Sequence, residues 1–331
     1  MDSELHTPVC DILGSRYPVV LAGMGGIARS ELVAAVSRAG GFGFLGMVRE
    51  PPDLIEKEVV RVRELTDRKF GVNLIPAATE SALLGAQIDT CIALEVPVVA
   101  LFWEISPAIV RRLKHASIVV AYQIGSVEEA QEAEQAGADI LIAQGREAGG
   151  HVRGDEPLRK LIPRVTAASP LPVLAAGGIV SGRDLFDALS MGAQGAVIGT
   201  ALMATNESFA HDYHKQRLVD AHDGETLLTY DFHINWPAGA KVRVLTNSVT
   251  RGERGDPNSG VHEVIGDEDG RPIYLFSTDS PLRSMTGDFE AMALYAGEGI
   301  GRLKSIVSAE ERVRSIVSEA TALIESRRVG L

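Results

Sequence analysis

Eight short apolar segments alternate with amphipathic segments in the first two-thirds of the chain, and this alternation constrains the fold most strongly. The apolar segments do not alternate polar with apolar residues, so each is predicted to be a strand covered on both faces. They lie at 18–24, 41–47, 70–75, 96–102, 117–123, 139–145, 172–178 and 195–200. Eight strand–helix units predict an α/β fold of the (β/α)8 TIM-barrel type; a doubly wound sheet is the alternative.

The pattern changes after Thr205. The segment 205–225 is predicted to form the eighth barrel helix, and the residues beyond it become polar and rich in turns. We therefore predict three parts. They are a barrel over 1–223, an insertion across the barrel mouth over 224–300, and a C-terminal helix within 301–331 that packs on the barrel.

Composition and charge narrow the possible partners and the compartment. The formal net charge of −12 argues against a nucleic-acid-binding surface, which needs a basic stripe. The two cysteines, Cys10 and Cys91, are far apart, which predicts neither a disulfide framework nor a cysteine metal site. The polar N-terminus does not have the pattern of a signal peptide, and no apolar run is long enough to span a bilayer. A cytoplasmic protein without a membrane partner is expected.

Glycines follow the seventh and eighth predicted strands, at the edge where such barrels bind ligands. The residues are Ala176, Gly177 and Gly178 after one strand and Gly199 and Thr200 after the next. Barrels commonly form a phosphate site here from backbone N–H groups, and a helix beginning near Ser181 would add the positive end of its dipole. Tight turns alone explain one such loop, whereas two neighbouring loops favour a phosphate site.

Glycines also follow the first and sixth predicted strands. The stretch 22–26 reads AGMGG, and 145–151 reads GREAGGH. Since glycine has no side chain, its backbone can lie directly against a flat ring, which suits the isoalloxazine of a flavin. Met24 follows Gly23 and is a candidate to pack its thioether or its backbone against that ring. Packing of Met24 in the protein core is an equally good explanation of this residue.

These segments together resemble the nitronate monooxygenase family, formerly called 2-nitropropane dioxygenases. The similarity is carried by LAGMGG, AGGFGFLG, FGVNL, QGREAGGH, VLAAGGI and GAVIGT, in this order, from about residue 15 to 205. It continues more loosely through FHINWP, VRVLTNS and YAGEGIG. The family consists of FMN-dependent barrel enzymes, includes NADH:quinone reductases, and is related to flavin-dependent enoyl-acyl-carrier-protein reductases.

The resemblance implies one non-covalent FMN. The residues that would line or approach the flavin are Gly23, Met24, Gly25, Asn73, Gln123, Gly145 and Gly150, and those that would hold the phosphate are Ala176, Gly177, Gly178, Gly199 and Thr200. Two positions depart from the family pattern. Gln123 stands where many members have a lysine, and the exit of the fourth strand, LFWEISP, lacks a glycine.

His151 matches the family histidine that faces the substrate over the flavin. An imidazole there can remove a C–H proton from a nitroalkane, or it can hold an anionic nitronate by a hydrogen bond. A structural histidine bonded to backbone carbonyls is the alternative. Tyr295 is a weaker candidate for the substrate wall, and a core tyrosine is the alternative reading of that residue.

The remaining clusters of polar residues do not predict a functional site. His211 and His214 have helical spacing but no third ligand, so no metal site is predicted and an exposed helix face is expected. Glu147 and Arg153 are expected to form surface ion pairs, and orienting His151 or a substrate is the alternative.

The predicted activity is the oxidation of alkyl nitronates with O₂ to a carbonyl compound and nitrite. Two alternatives stay open: an NAD(P)H-dependent FMN reductase of quinones or enoyl thioesters, and a flavin-binding protein without catalysis. A barrel of the inosine-monophosphate dehydrogenase type is disfavoured, because it needs a loop cysteine that neither Cys10 nor Cys91 supplies. The expected partners are a small-molecule substrate and O₂, and the sequence leaves open both NAD(P)H and a homodimer.

Overall fold

Eight parallel strands close into a barrel in the computed structural model, which describes residues 5–260 and 262–329. In chain order the strands are β1 (Val19–Leu21), β2 (Phe42–Gly46), β3 (Gly71–Leu74), β4 (Val98–Phe102), β5 (Val119–Ile124), β6 (Ile140–Gln144), β7 (Gly150–Val152), β8 (Val173–Ala176) and β9 (Gly195–Ile198). All except β7 belong to the barrel, and β9 closes it by pairing with β1. The predicted (β/α)8 barrel is confirmed.

The described helices pack around the barrel or across its end. They are α1 (Pro8–Leu13), α2 (Ser30–Arg38), α3 (Pro52–Leu65), α4 (Ser81–Ala93), α5 (Pro107–His115), α6 (Val127–Ala136), α7 (Leu158–Ala168), α8 (Gly182–Ser190), α9 (Thr200–Met203), α10 (Asp212–Asp220) and α11 (Ala309–Val329). Side-chain caps fix two of the helix starts, because the Ser126 hydroxyl accepts the Glu129 N–H at 3.1 Å and the Ser181 hydroxyl accepts the Asp184 N–H at 3.3 Å.

The amino-terminal end of the barrel is filled. Val9, Cys10 and Leu13 of α1 are fully buried and pack against the inward-facing side chains of the barrel. Among these side chains, Phe42 and Phe44 meet edge to face with ring centroids 5.0 Å apart. Because α1 closes this end, the opposite rim is left for ligand binding.

The eighth position of the helical ring is occupied by α11. This helix packs on α8 and α2, which follow β8 and β1, so it lies where the helix after the last strand belongs. The prediction that 205–225 forms the eighth barrel helix is wrong, since that segment contains only the short α10. The chain adds about a hundred residues between the last strand and the helix that completes the ring.

Those added residues form two small antiparallel sheets. The strands β10 (Thr226–Thr229) and β11 (Lys241–Leu245) continue onto β7, and β12 (Val264–Glu268) lies between β13 (Arg271–Tyr274) and β14 (Met285–Gly287). Because β7 follows the sixth barrel strand, the first sheet connects the added segment to the barrel rim. The domain limits at 223 and 300 stay predictions. Among the described helices, none is both long and apolar enough to cross a membrane.

Candidate active site

A cavity of about 630 Å³ lies at the carboxyl ends of the barrel strands, a volume typical of small-molecule sites. Loops after the barrel strands form one part of its wall, and residues of the added segment form the rest. The predicted site residues that line it are Gly23, Met24, Gly25, Asn73, Gln123, Gly150, His151, Ala176, Gly177, Gly178, Gly199, Thr200 and Tyr295.

Gly145 is not brought to the cavity wall. A Cβ atom on this residue would lie 2.5 Å from Glu147 Oε2 and 2.7 Å from Leu158 Cβ. Its missing side chain therefore lets the loop pack against the start of α7. There the Glu147 carboxylate accepts the Leu158 N–H at 2.9 Å, so Glu147 caps a helix, and it does not form the expected surface ion pair with any described residue.

Asn73 comes close to the first strand exit because Gly23 has no side chain. A Cβ atom on Gly23 would lie 2.2 Å from Asn73 Cβ, a separation that no real pair of atoms tolerates. The Asn73 side chain is buried, and its Nδ2 donates to the Ala100 carbonyl at 3.3 Å. Asn73 is thereby held in the wall of the cavity.

Several backbone amides of the cavity wall have no acceptor in the described part of the chain. The N–H groups of Gly177, Gly178 and Gly199, at the predicted phosphate loops, are among them. Buried or half-buried amides are nearly always paired, so such a cluster is suited to an anionic group from a ligand.

The start of α8 contributes less than expected to this cluster. The Asp184 carboxylate accepts the N–H groups of Val180 and Ser181 at 3.0 Å and 2.9 Å, so these two amides are not available to a ligand. The N–H groups that have no acceptor among the described residues lie just before these two amides, at Gly177 and Gly178. The helix begins at Gly182 with Ser181 as its N-cap, as predicted, and the action of its dipole on a phosphate stays a prediction.

A third glycine loop, at 297–299, completes this rim. The Gly297 N–H donates to Thr200 Oγ1 at 3.0 Å, and the Glu298 N–H donates to the Glu147 carbonyl at 3.0 Å. The neighbouring Arg302 donates to the Gly178 carbonyl at 3.0 Å. The sequence did not lead us to assign this loop to the site. The one signal for it was the stretch YAGEGIG, which loosely continues the family resemblance.

His151 is held from both sides. The Gln144 side chain at the end of β6 donates to the His151 carbonyl at 2.8 Å and accepts the Arg153 N–H at 3.0 Å. On the other side β7 pairs with β11, with His151 opposite Val242. Gln144 and β11 therefore fix the backbone that carries the imidazole. Arg153 also forms the expected ion pair, with Glu129 at 2.6 Å.

The His151 ring is covered but not paired. Trp236 stacks on it with ring centroids 3.3 Å apart and an angle of 19° between the planes. His151 Nε2 is buried and has no hydrogen-bond partner among the described residues. Burial lowers the pKa of His151 well below its usual value, and the nearby charge of Arg49 lowers it further. The imidazole is consequently uncharged at neutral pH.

Tyr295 lies beside His151, with ring centroids 5.7 Å apart. Its hydroxyl donates to the Thr278 carbonyl at 2.8 Å, and burial raises the pKa of this hydroxyl. Tyr295 therefore forms a neutral, fixed part of the cavity wall, and its burial also fits the alternative of a core tyrosine. Its contact with a substrate stays a prediction.

His214 supports Tyr295 from behind. Its Nε2 lies 3.1 Å from the Tyr295 carbonyl, and its Nδ1 lies 3.2 Å from Ser280 Oγ. The side chain is fully buried, which lowers its pKa to about 4. The expectation of an exposed helix face is thus wrong for His214. His211 caps α10 instead, by accepting the Tyr213 N–H at 3.1 Å. No group of three potential metal ligands occurs within the described ranges.

Comparison with known proteins gives full-length matches. A family model described as nitronate monooxygenase matches residues 6–319. A 5-hydroxy-7a-methyl-1-oxo-octahydro-indene-4-carboxyl-CoA dehydrogenase from Mycobacterium tuberculosis is 30% identical, with 98% of each chain covered. A probable nitronate monooxygenase from Staphylococcus saprophyticus is 30% identical, covering 97% of this chain and 99% of the other. The solved nitroalkane oxidase from Streptomyces ansochromogenes superposes with a TM-score of 0.79 at 30% identity, covering 96% and 99%.

Proposed function

Since the chain belongs to the nitronate monooxygenase family and is an oxidoreductase, we propose that it uses FMN to oxidise alkyl nitronates with O₂ to a carbonyl compound and nitrite. One observation carries this proposal. His151 Nε2 is buried and unpaired in a cavity whose rim also presents unpaired backbone amides.

Two features of the cavity support FMN as the cofactor, one for its phosphate and one for its ring. In this proposal the amides of Gly177, Gly178 and Gly199 hold the phosphate, since charge-assisted hydrogen bonds are the strong ones. Gly150 gives room for the ring, because a Cβ atom built there meets no atom of the described residues within 4 Å. When bound, FMN would take electrons from the substrate and deliver them to O₂.

His151 acts on the substrate as a neutral imidazole. Its N–H can donate to a nitronate oxygen, and its unprotonated form can take the C–H proton from a neutral nitroalkane. A buried polar atom without a partner costs about 1–3 kcal/mol, so a substrate oxygen that reaches Nε2 regains a hydrogen bond. Trp236 shields the same ring from water by covering one face.

Anaerobic reduction of the purified flavoprotein tests this function. Mixing with propyl-1-nitronate should bleach the flavin absorbance rapidly, and readmission of O₂ should release nitrite and an aldehyde. NADH should bleach it far more slowly. Rapid bleaching by NADH without bleaching by the nitronate would contradict the proposal.

A second candidate is oxidoreduction of an acyl thioester. It is favoured by the similarity to a carboxyl-CoA dehydrogenase, which spans 98% of both chains. The same anaerobic experiment separates the candidates when an enoyl thioester is offered to the NADH-reduced protein, because only the second candidate predicts reoxidation of the flavin by that substrate.

A further inference from the structure

Arg49 is a charged residue of the cavity wall that has no acidic partner. It follows β2 and its guanidinium donates to the Asn235 carbonyl at 2.6 Å. In the part of the chain that the structure describes, no carboxylate lies within 4 Å of it. Its backbone has a φ of 59°, an unfavourable conformation for a residue with a side chain, so the loop holds Arg49 at some cost.

The other arginine on this wall, Arg271, is neutralised, because it pairs with Glu268 at 2.6 Å and with Asp279 at 3.0 Å. The third carboxylate on the wall, that of Glu50, pairs at 2.9 Å with Arg29, which lies outside the cavity. Since the whole chain carries a net charge of −12, an uncompensated cation inside a cavity is an exception to the overall charge. Arg49 therefore gives this part of the cavity a local positive potential.

The positive charge lies close to the unpaired imidazole. Arg49 is bonded to Asn235, and the next residue, Trp236, stacks on His151. After burial, the charge of Arg49 is the second cause of the lowered pKa of His151. It also offsets part of the rise in the pKa of Tyr295 that burial and the charge of Asp279 cause, as expected for a guanidinium near both rings. A ligand anion between Arg49 and His151 would meet one charged donor and one neutral donor.

Apolar side chains border the same place. Ile75, Phe102, Trp103 and Ala240 form a small buried cluster, against which Val48 and Trp236 pack. The indole rings of Trp103 and Trp236 meet edge to face, with centroids 5.9 Å apart. A ligand bound to Arg49 therefore has an apolar surface available for the rest of its structure.

We propose that Arg49, His151 Nε2 and this apolar cluster form a subsite for small organic anions that carry two oxygens on a planar group and an alkyl chain. Arg49 is the specificity residue, since it binds the anionic form and not the neutral one. Nitronates and carboxylates share this shape and charge. The inference rests on the proposed function for the identity of the physiological anion, but the subsite itself is defined without turnover.

Calorimetric titration of the FMN-loaded protein with butyrate and with butyramide tests the subsite. The two probes match in size but differ in charge, and neither is oxidised. The wild type should bind butyrate more tightly than butyramide at low ionic strength. Arg49→Gln should weaken butyrate binding by at least about tenfold and leave butyramide binding within about twofold, because a charge-assisted bond is lost. Arg49→Lys should lie between the two, since lysine keeps the charge but not the planar donor pair.

Arg111→Gln provides the matched control, because Arg111 is exposed on α5 and outside the cavity. It removes one charge and should bind butyrate as the wild type does. Equal losses for butyrate and butyramide in Arg49→Gln, an unchanged butyrate affinity, or no butyrate binding by the wild type would each overturn the proposal. If butyrate binding depends on Arg49 and propyl-1-nitronate is not oxidised, the subsite stands and the proposed function fails.

Discussion

Gly150→Leu should weaken FMN binding by roughly 5- to 150-fold, because the added side chain would occupy the space proposed for the flavin ring. A Cβ atom on Gly150 points to open space on the cavity wall. Forcing a side chain into filled space costs about 1–3 kcal/mol, and each 1.4 kcal/mol corresponds to a tenfold change in affinity. Quenching of FMN fluorescence by the apoprotein measures the dissociation constant.

Gly252→Leu is the control that separates cavity filling from backbone strain. Gly252 has a φ of 73° and Gly150 a φ of 78°, and neither has a neighbour within 4 Å of an added Cβ atom. Both variants therefore pay a similar conformational cost, but Gly252 lies outside the cavity. An FMN affinity lowered equally in the two variants, with both folded by circular dichroism, would contradict the assignment of Gly150.

His151→Ala should leave FMN bound and lower kcat/KM for propyl-1-nitronate by roughly 100- to 1,000-fold. The estimate is the loss found when one positioned hydrogen-bond donor is removed from a reaction centre. The substrate oxygen would lose its partner Nε2, whereas the amides proposed to hold the phosphate are unchanged. Steady-state nitrite release and the visible spectrum of the same sample measure both quantities.

His115→Ala serves as the control for His151→Ala, since His115 is exposed at the end of α5. It should match the wild type in both assays. Turnover by His151→Ala within threefold of the wild type would remove the imidazole from the reaction. Loss of FMN from His151→Ala would show that the ring holds the cofactor and not the substrate.

The barrel could be predicted because its signals are local. Each strand is a short apolar run, and the glycines after β8 and β9 lie where a (β/α)8 barrel presents backbone amides. The eighth helix could not be assigned in the same way. Both α10 and α11 have helical periodicity, and only packing of α11 on α2 and α8 decides which one completes the ring.

The other half of the cavity wall could not be predicted, because distant segments build it. Trp236 reaches His151 through a loop between β10 and β11, and Arg49 is positioned by a bond to Asn235. No spacing in the sequence links residues almost two hundred positions apart. The burial of His214 could not be predicted for the same reason, because it depends on Ser280 and Tyr295, which come from a different segment of the chain.

The visible spectrum of the purified protein tests the central claim, namely that the rim amides and Gly150 accommodate a flavin mononucleotide. We expect a yellow protein whose absorbance near 450 nm belongs to FMN, released in about one equivalent per chain on denaturation. A protein that is colourless as purified, and that stays colourless after incubation with excess FMN and removal of the free cofactor, would contradict it.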